Sequence, residues 1–316
     1  MRSKNQSWHF GAELMIVSFG QGIPTILGTV IRYLMSFPIT IAKLWRKKPG
    51  VVFAENMPIF LVISVAVYAK LRRIPYIIDS HSGAFNHPKW KWSQPIYRVI
   101  ARSAFVNINT NVHHKELVES WGGRSVIIAD IPIRIGNRSV PKFATAPYIA
   151  IVASFSFDEP INEIFKASRL VPSVKLYMTG NASRVKSTRL TLKGDNLEFT
   201  GFLSYSDYLG LLEAAIGVLV LTTRDHTMQR GAYEALSLGT PIITSDFPIL
   251  RHTFEDAALY VDNTPEGIAE AIRNLSQDYT QFREAVERRR LIRYRNYFDV
   301  RDGVEKLLLE ELTGRC

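Results

Sequence analysis

A single cysteine, Cys316, stands at the very end of the 316-residue sequence. No disulfide framework and no cysteine-rich metal site can form within one such chain, and the shortage leans towards a cytoplasmic protein. No Gly-x-Gly-x-x-Gly follows a strand-like run, which disfavours a dinucleotide-binding dehydrogenase. The phosphate-loop and His-Glu-x-x-His patterns are missing too. No secretory leader is visible: residues 1–6 are polar and run into a strand-like segment, without an apolar core or a small-residue cleavage site. Long hydrophobic runs are scarce. The most apolar stretch, residues 22–45, is broken by Pro24, Arg32, Pro38 and Lys43 and ends in Arg46, Lys47 and Lys48, so it is a poor spanning helix. It reads either as an amphipathic helix packed on a sheet or as one lying on a membrane, basic end toward anionic lipid. Acids are outnumbered, 29 against 39 Lys and Arg, and the net charge of +10 favours anionic partners.

What is present is alternation. Strand-like runs at 12–19, 51–55, 75–79, 104–108 and 125–129 alternate with helical stretches at 24–47, 58–71, 93–102 and 111–121. A bend is expected at Pro38 and a helix cap at Asn111. Residues 131–147, with three prolines, break the pattern and read as a linker. The scheme then repeats, with strands at 148–153, 174–179, 197–200, 217–221, 241–244 and 259–261. Helices are expected at 159–170, 205–215, 228–238 and 265–275, the last capped by Thr264. This predicts two α/β domains, 1–135 and 147–278, each a doubly wound parallel sheet, followed by a charged helical tail, 279–316. The basic run 288–295 interleaves aromatics as a nucleic-acid site would. It also places apolar residues at helical spacing, and no nucleic-acid motif accompanies it, so no nucleic-acid partner is expected.

The chemistry is concentrated in residues 218–247. A buried strand ends in a polar loop, a helix begins, Gly239 stops it, and another buried strand follows. Ligands of open α/β sheets bind beyond the carboxyl ends of the strands. A helix N-terminus beside that loop suits a phosphate. Thr227, Arg230 or Gly231, and Glu234 share one helix face. A carboxylate at Glu234 can accept two hydroxyl hydrogen bonds, as from a ribose, and Gly231 would let a ligand approach the backbone.

The run from Glu234 to Asp246, EALSLGTPIITSD, resembles the E-A-hydrophobic-x-x-G-x-P block of the family 4 glycosyltransferases. These are retaining enzymes of the GT-B architecture, two Rossmann-like domains facing across a cleft. Residues 196–203 (NLEFTGFL) and 259–275 extend the resemblance, and 49–58 and 76–81 match more loosely. It implies transfer of a sugar from a nucleotide-sugar donor to a saccharide or polyprenyl-linked acceptor held by the N-terminal domain. Surface polysaccharide or glycoconjugate synthesis at the inner face of a membrane is the expected setting, with an anionic membrane surface as a partner. No metal and no cofactor is expected beyond the nucleotide sugar itself.

The resemblance makes Glu234 the second acid of a pair, the one on the nucleotide ribose. At the place of the first acid stands His226, beside Asp225. Either Asp225 substitutes from one position away, or backbone N–H groups of Thr227, Met228, Gln229 and Arg230 take over donor contacts. The family's Gly-Arg after the first strand of this domain is replaced by residues 153–160, which hold no cation and two acids. The diphosphate then falls to Arg224, Arg230 or Arg184, with Arg224 best placed on the strand-end loop. In the N-terminal half, His81 follows a buried strand where family members place a histidine facing the cleft, suited to proton transfer or a sugar hydroxyl. Residues 55–58 are expected to line the acceptor side. Trp8, Trp90 and Trp92 are candidates for stacking on sugar or for packing. The catalytic candidates are therefore His81, Asp225 and His226, and the substrate-binding candidates Arg224, Thr227, Met228, Gln229, Arg230, Gly231 and Glu234. A family domain should open one strand earlier than this sequence does, so either the recorded start is late or the sheet is trimmed. The rival reading is a non-catalytic GT-B-like scaffold or partner subunit.

Overall fold

The computed structural model describes residues 2–17, 26–56, 58–129, 132–133, 136–145, 147–185 and 187–314. The chain forms two compact units: Met1–Ile131 with Tyr297–Cys316, and Pro132–Asn296.

The first unit runs α1 (Arg2–His9), α2 (Ile26–Lys47), β1 (Val52–Asn56), α3 (Ile59–Arg72), β2 (Tyr76–Ser80), α4 (Ser82–Asn86), α5 (Gln94–Ser103), β3 (Val106–Asn109), α6 (Val112–Ser120) and β4 (Ser125–Ile127). Its four strands are parallel in the order β1-β2-β3-β4. Alternation along β2 builds a core on each face. Tyr76 and Ile78 join Leu44, Val62, Val65 and Tyr68 on one side, while Ile77 joins Phe105 and Ile108 on the other. Asn111 caps α6, its Oδ1 accepting from His114 N at 2.9 Å. Pro38 lies inside α2, which runs through it. Trp90 is buried against Tyr33, whereas Trp8 and Trp92 are exposed.

The strand expected at 12–19 is not formed over Ala12–Val17; residues 18 and 19 lie outside the described residues, as do residues 20–25. A strand needs a hydrogen-bonded neighbour about 4.8 Å away, and among the described residues the sheet ends at β1. The 12–17 run and residues 51–53 instead line a common cavity of about 910 Å³. The loop expected after β2 is partly helical, as α4.

The second unit runs β5 (Tyr148–Ile151), α7 (Ile161–Leu170), β6 (Lys175–Thr179), α8 (Ser187–Leu190), β7 (Leu197–Gly201), α9 (Tyr205–Ala214), β8 (Gly217–Val220), α10 (Arg230–Leu238), β9 (Ile242–Ser245), α11 (Pro248–Phe254), β10 (Ala258–Val261) and α12 (Pro265–Gln277). Six parallel strands lie in the order β10-β9-β8-β5-β6-β7. The order reverses between β8 and β5, which is where a doubly wound sheet opens a ligand crevice. Ile149, Ile151, Leu219 and Ile243 pack on Phe165 and Ile272 from α7 and α12. Thr264 caps α12, accepting from Gly267 N at 3.1 Å.

The 35-residue helix α13 (Tyr279–Thr313) closes the chain. It is shared: its first part belongs to the second unit, and from Tyr297 on it belongs to the first. Three arginines of the basic run within it are engaged by the protein itself. Arg289 bonds Thr253 O and pairs with Glu255, Arg288 pairs with Asp256, and Arg293 lies 3.7 Å over the Tyr233 ring.

Candidate functional site

The second unit gathers nine of the ten candidates on α10 and the loop before it. β8 ends at Val220, and Leu221 and Thr222 are still buried. A polar ring then holds the strand ends together. Thr222 N donates to Ser245 Oγ at 2.8 Å, Ser245 Oγ donates to Asn263 Oδ1 at 2.7 Å, and Asn263 Nδ2 donates to Thr222 O at 2.8 Å. The ends of β8, β9 and β10 are thus fixed before the loop departs.

Arg224 places its guanidinium 4.3 Å over the ring of Phe157, on the loop after β5. Thr223 ties the same two loops, its N–H donating to Asp158 O at 2.7 Å. His226 takes a left-handed backbone, φ 54°, uncommon for a non-glycine residue. Its N–H donates to Asp225 Oδ1 at 2.7 Å, and its Nε2 lies 3.8 Å from Asp225 Oδ2. Asp225 is therefore folded back on its neighbour. Thr227 Oγ1 contacts Asp225 O at 3.4 Å, and Met228 Sδ lies 3.9 Å from the Tyr233 hydroxyl. Gln229 is the N-cap residue of α10 without a side-chain cap bond.

Glu234 is only 4% exposed, so it is no solvated helix acid. Arg230, one turn earlier, donates Nε to its Oε1 at 2.9 Å. Tyr208, on α9, donates its hydroxyl to Oε2 at 2.6 Å. Burial and then the adjacent carboxylate push the Tyr208 phenol well above its ordinary range, so it stays a donor. Each carboxylate oxygen can accept more than one bond.

Gly231 needs correcting. A Cβ at this position would lie 2.8 Å from the Val152 side chain. The space expected to admit a ligand is filled by Val152, and the glycine serves close packing of α10 on the end of β5. Gly239 does behave as expected, ending α10 at φ 72°.

His81 belongs to the other unit. It is the N-cap residue of α4, with Nε2 3.2 Å from Glu55 Oε1 at the end of β1. This hydrogen bond, reinforced by one from Ser3 and opposed by partial burial, holds the Glu55 carboxyl down at about 2. Beneath it, Asn56 donates to Ser80 Oγ at 3.1 Å, and Ser80 meets the Tyr97 hydroxyl at 2.7 Å. Met57, expected on the acceptor side with Glu55, lies outside the described residues. The Glu55–His81 pairing, Tyr208 and the Ser245–Asn263 pair were not singled out from sequence. Tyr208 gives no local signal, since 26 residues separate it from Glu234. Ser245 does lie within the E-A…P-I-I-T-S block.

A six-stranded doubly wound sheet with a buried acid on the helix behind its switch point is a Rossmann-like α/β unit, and the chain carries a second parallel-sheet unit, as GT-B proteins do. The chain belongs to the group 1 glycosyl transferases, whose family pattern matches residues 136–295. By sequence alone, no curated protein is significantly similar. Solved structures share the fold. Anabaena Alr3699/HepE, determined with UDP and glucose, aligns with a TM-score of 0.69 at 15% identity, over 90% of this chain and 83% of that one. The α,α-trehalose 6-phosphate synthase of Burkholderia multivorans gives 0.69 at 12% identity, over 100% and 84%. A UDP-N-acetylglucosamine 2-epimerase of Listeria monocytogenes gives 0.58 at 12%, over 89% and 80%.

Proposed function

We propose that the protein transfers a sugar from a nucleotide-diphosphate donor to a saccharide or polyprenyl-linked acceptor, with retention at the anomeric carbon. The observation that carries this reading is Glu234, a buried carboxylate held at the switch point of a group 1 transferase domain. The nucleotide ribose bonds to Glu234, while Arg230, its exposed partner, swings outward to the diphosphate. Arg224 and the N–H groups opening α10 take the remaining phosphate charge, which develops as the leaving group departs. Thr227, Met228 and Gln229 line the donor side with their backbone. Asp225 and His226 stand where the sugar ring is expected, and His81 orients the acceptor from the first unit, its ring anchored on Glu55. No metal is required in this scheme, so chelation should leave the rate unchanged.

Membrane contact is proposed through α2. Ile31, Leu34, Met35 and Trp45 are exposed along it, and Arg46, Lys47 and Lys48 follow at its end. Among the described residues no helix is long and apolar enough to cross a membrane. The test of function is transfer of label from a panel of radiolabelled nucleotide sugars to saccharide and polyprenyl-phosphate-linked acceptors. Label in product above a boiled-protein control is expected; none, with any donor, would favour a scaffold role.

A further inference from the structure

The loop leaving β5 already holds an anion, and it is the protein's own. The N–H of Ser154 lies 3.0 and 3.1 Å from the two Glu159 oxygens, and its hydroxyl donates to Oε1 at 2.7 Å. The N–H of Ser156 donates to Oε2 at 3.3 Å. Between the two serines, Phe155 takes φ 56°. A left-handed residue at this position lets neighbouring N–H groups converge into a concave nest for an anion. Gly180 allows the loop to lie so close: a Cβ there would come within 2.2 Å of Ala153 O and 3.2 Å of the Phe155 ring.

The place of this nest matters more than its shape. It follows β5, the strand at which the sheet order reverses. Val152, two residues before Ser154, packs on Gly231 in the first turn of α10. Thr223 donates to Asp158 O, and Arg224 lies over Phe157, so the loop is locked to the loop bearing the donor-side candidates. Arg184 donates to Ser154 O at 3.2 Å, adding a second cation to the rim. Donors from Ser154 and Ser156 thus converge on the carboxylate of Glu159 beside the switch point, one of the two acids standing where the family resemblance placed a cation.

We propose that Glu159 is a built-in competitor for the donor: its carboxylate holds the oxyanion position that a phosphate of the nucleotide diphosphate takes, and donor binding displaces it. The exchange makes and breaks hydrogen bonds only. The two N–H groups and the Ser154 hydroxyl pass from carboxylate to phosphate oxygens. This inference rests on the nucleotide-sugar reading above. It adds that the chain's affinity for diphosphates is set low by one residue, and that the loop from 154 to 159 changes partner on binding.

The test is calorimetric titration of inorganic pyrophosphate, and of each nucleoside diphosphate, into the wild-type chain and Glu159→Gln, with Glu159→Ala as the second variant. Far-UV circular dichroism identifies any variant that does not fold. Glu159→Gln keeps the size and removes the charge, so pyrophosphate should bind at least about tenfold more tightly than to wild type. Uncharged nucleosides should bind equally to both. Unchanged or weaker pyrophosphate binding by a folded Glu159→Gln or Glu159→Ala chain would overturn the proposal and make Glu159 a loop brace. Tighter pyrophosphate binding without nucleotide binding in either chain would keep Glu159 as a competitor for a diphosphate and sink the transferase reading. Nucleotide binding of equal strength in both would do the reverse.

Discussion

Glu234 is held by two donors of different kinds, and they predict different failures. Removing the carboxylate leaves the Tyr208 hydroxyl without its short acceptor in a desolvated place. Glu234→Ala should therefore lower stability by about 1–3 kcal/mol in urea unfolding, and weaken nucleotide binding by roughly tenfold or more. A destabilised variant with unchanged nucleotide affinity would remove the ribose role and keep the structural one. At Glu55 the prediction is a titration. Its folded value of about 2 lies below the ordinary 4.5, so the pairing with His81 contributes stability that is full above about 4.5 and is lost as pH falls towards 2. His81→Ala should return the Glu55 carboxyl towards its ordinary value in an NMR titration. No movement would mean that His81 is not what holds it down.

At the scale of elements, the caps and breaks behave as independent small terms. Thr264→Ala removes the acceptor for Gly267 N and should cost about 1 kcal/mol. Gly303 sits inside α13, and a Cβ there meets nothing within 4 Å. Gly303→Ala should stabilise by roughly 0.5–1 kcal/mol, read as a shift in the denaturation midpoint. A loss instead would show that the α13 helix is bent or contacted at that point. Elements of this kind were largely legible in the sequence, because periodicity, Asn111, Thr264 and Gly239 are local signals. Ala12–Val17 was not: its apolar run has strand composition, but pairing depends on a neighbour that β1 does not meet. Glu234 and Arg224 were singled out from their place after a strand, but the burial of Glu234 between Arg230 and Tyr208 was not legible, because Tyr208 is remote in sequence. Gly231 was misread because its neighbour Val152 is 79 positions away in sequence. The carboxylate of Glu159 was visible only as an acid where a cation was expected, since its partners are backbone N–H groups.

For the whole molecule, charge and fold point the same way. A net charge of +10 with an exposed apolar and basic α2 predicts binding to vesicles containing anionic lipid, weakening as salt rises. Co-sedimentation equal for neutral and anionic vesicles would count against a membrane-bound acceptor without touching the donor site. The helix α13, shared by both units, gives each unit part of its core: Val286 and Ala285 are buried before the division, Val304 and Leu308 after it. In the function we propose, the doubly wound sheet of the second unit presents Glu234, Arg230 and Arg224 to a nucleotide sugar. Calorimetric titration of a panel of nucleotide sugars into the intact chain tests it most directly. One nucleotide sugar should bind with one-to-one stoichiometry and lose roughly tenfold or more in affinity with Glu234→Ala; a folded wild-type chain that binds no nucleotide or nucleotide sugar would contradict it.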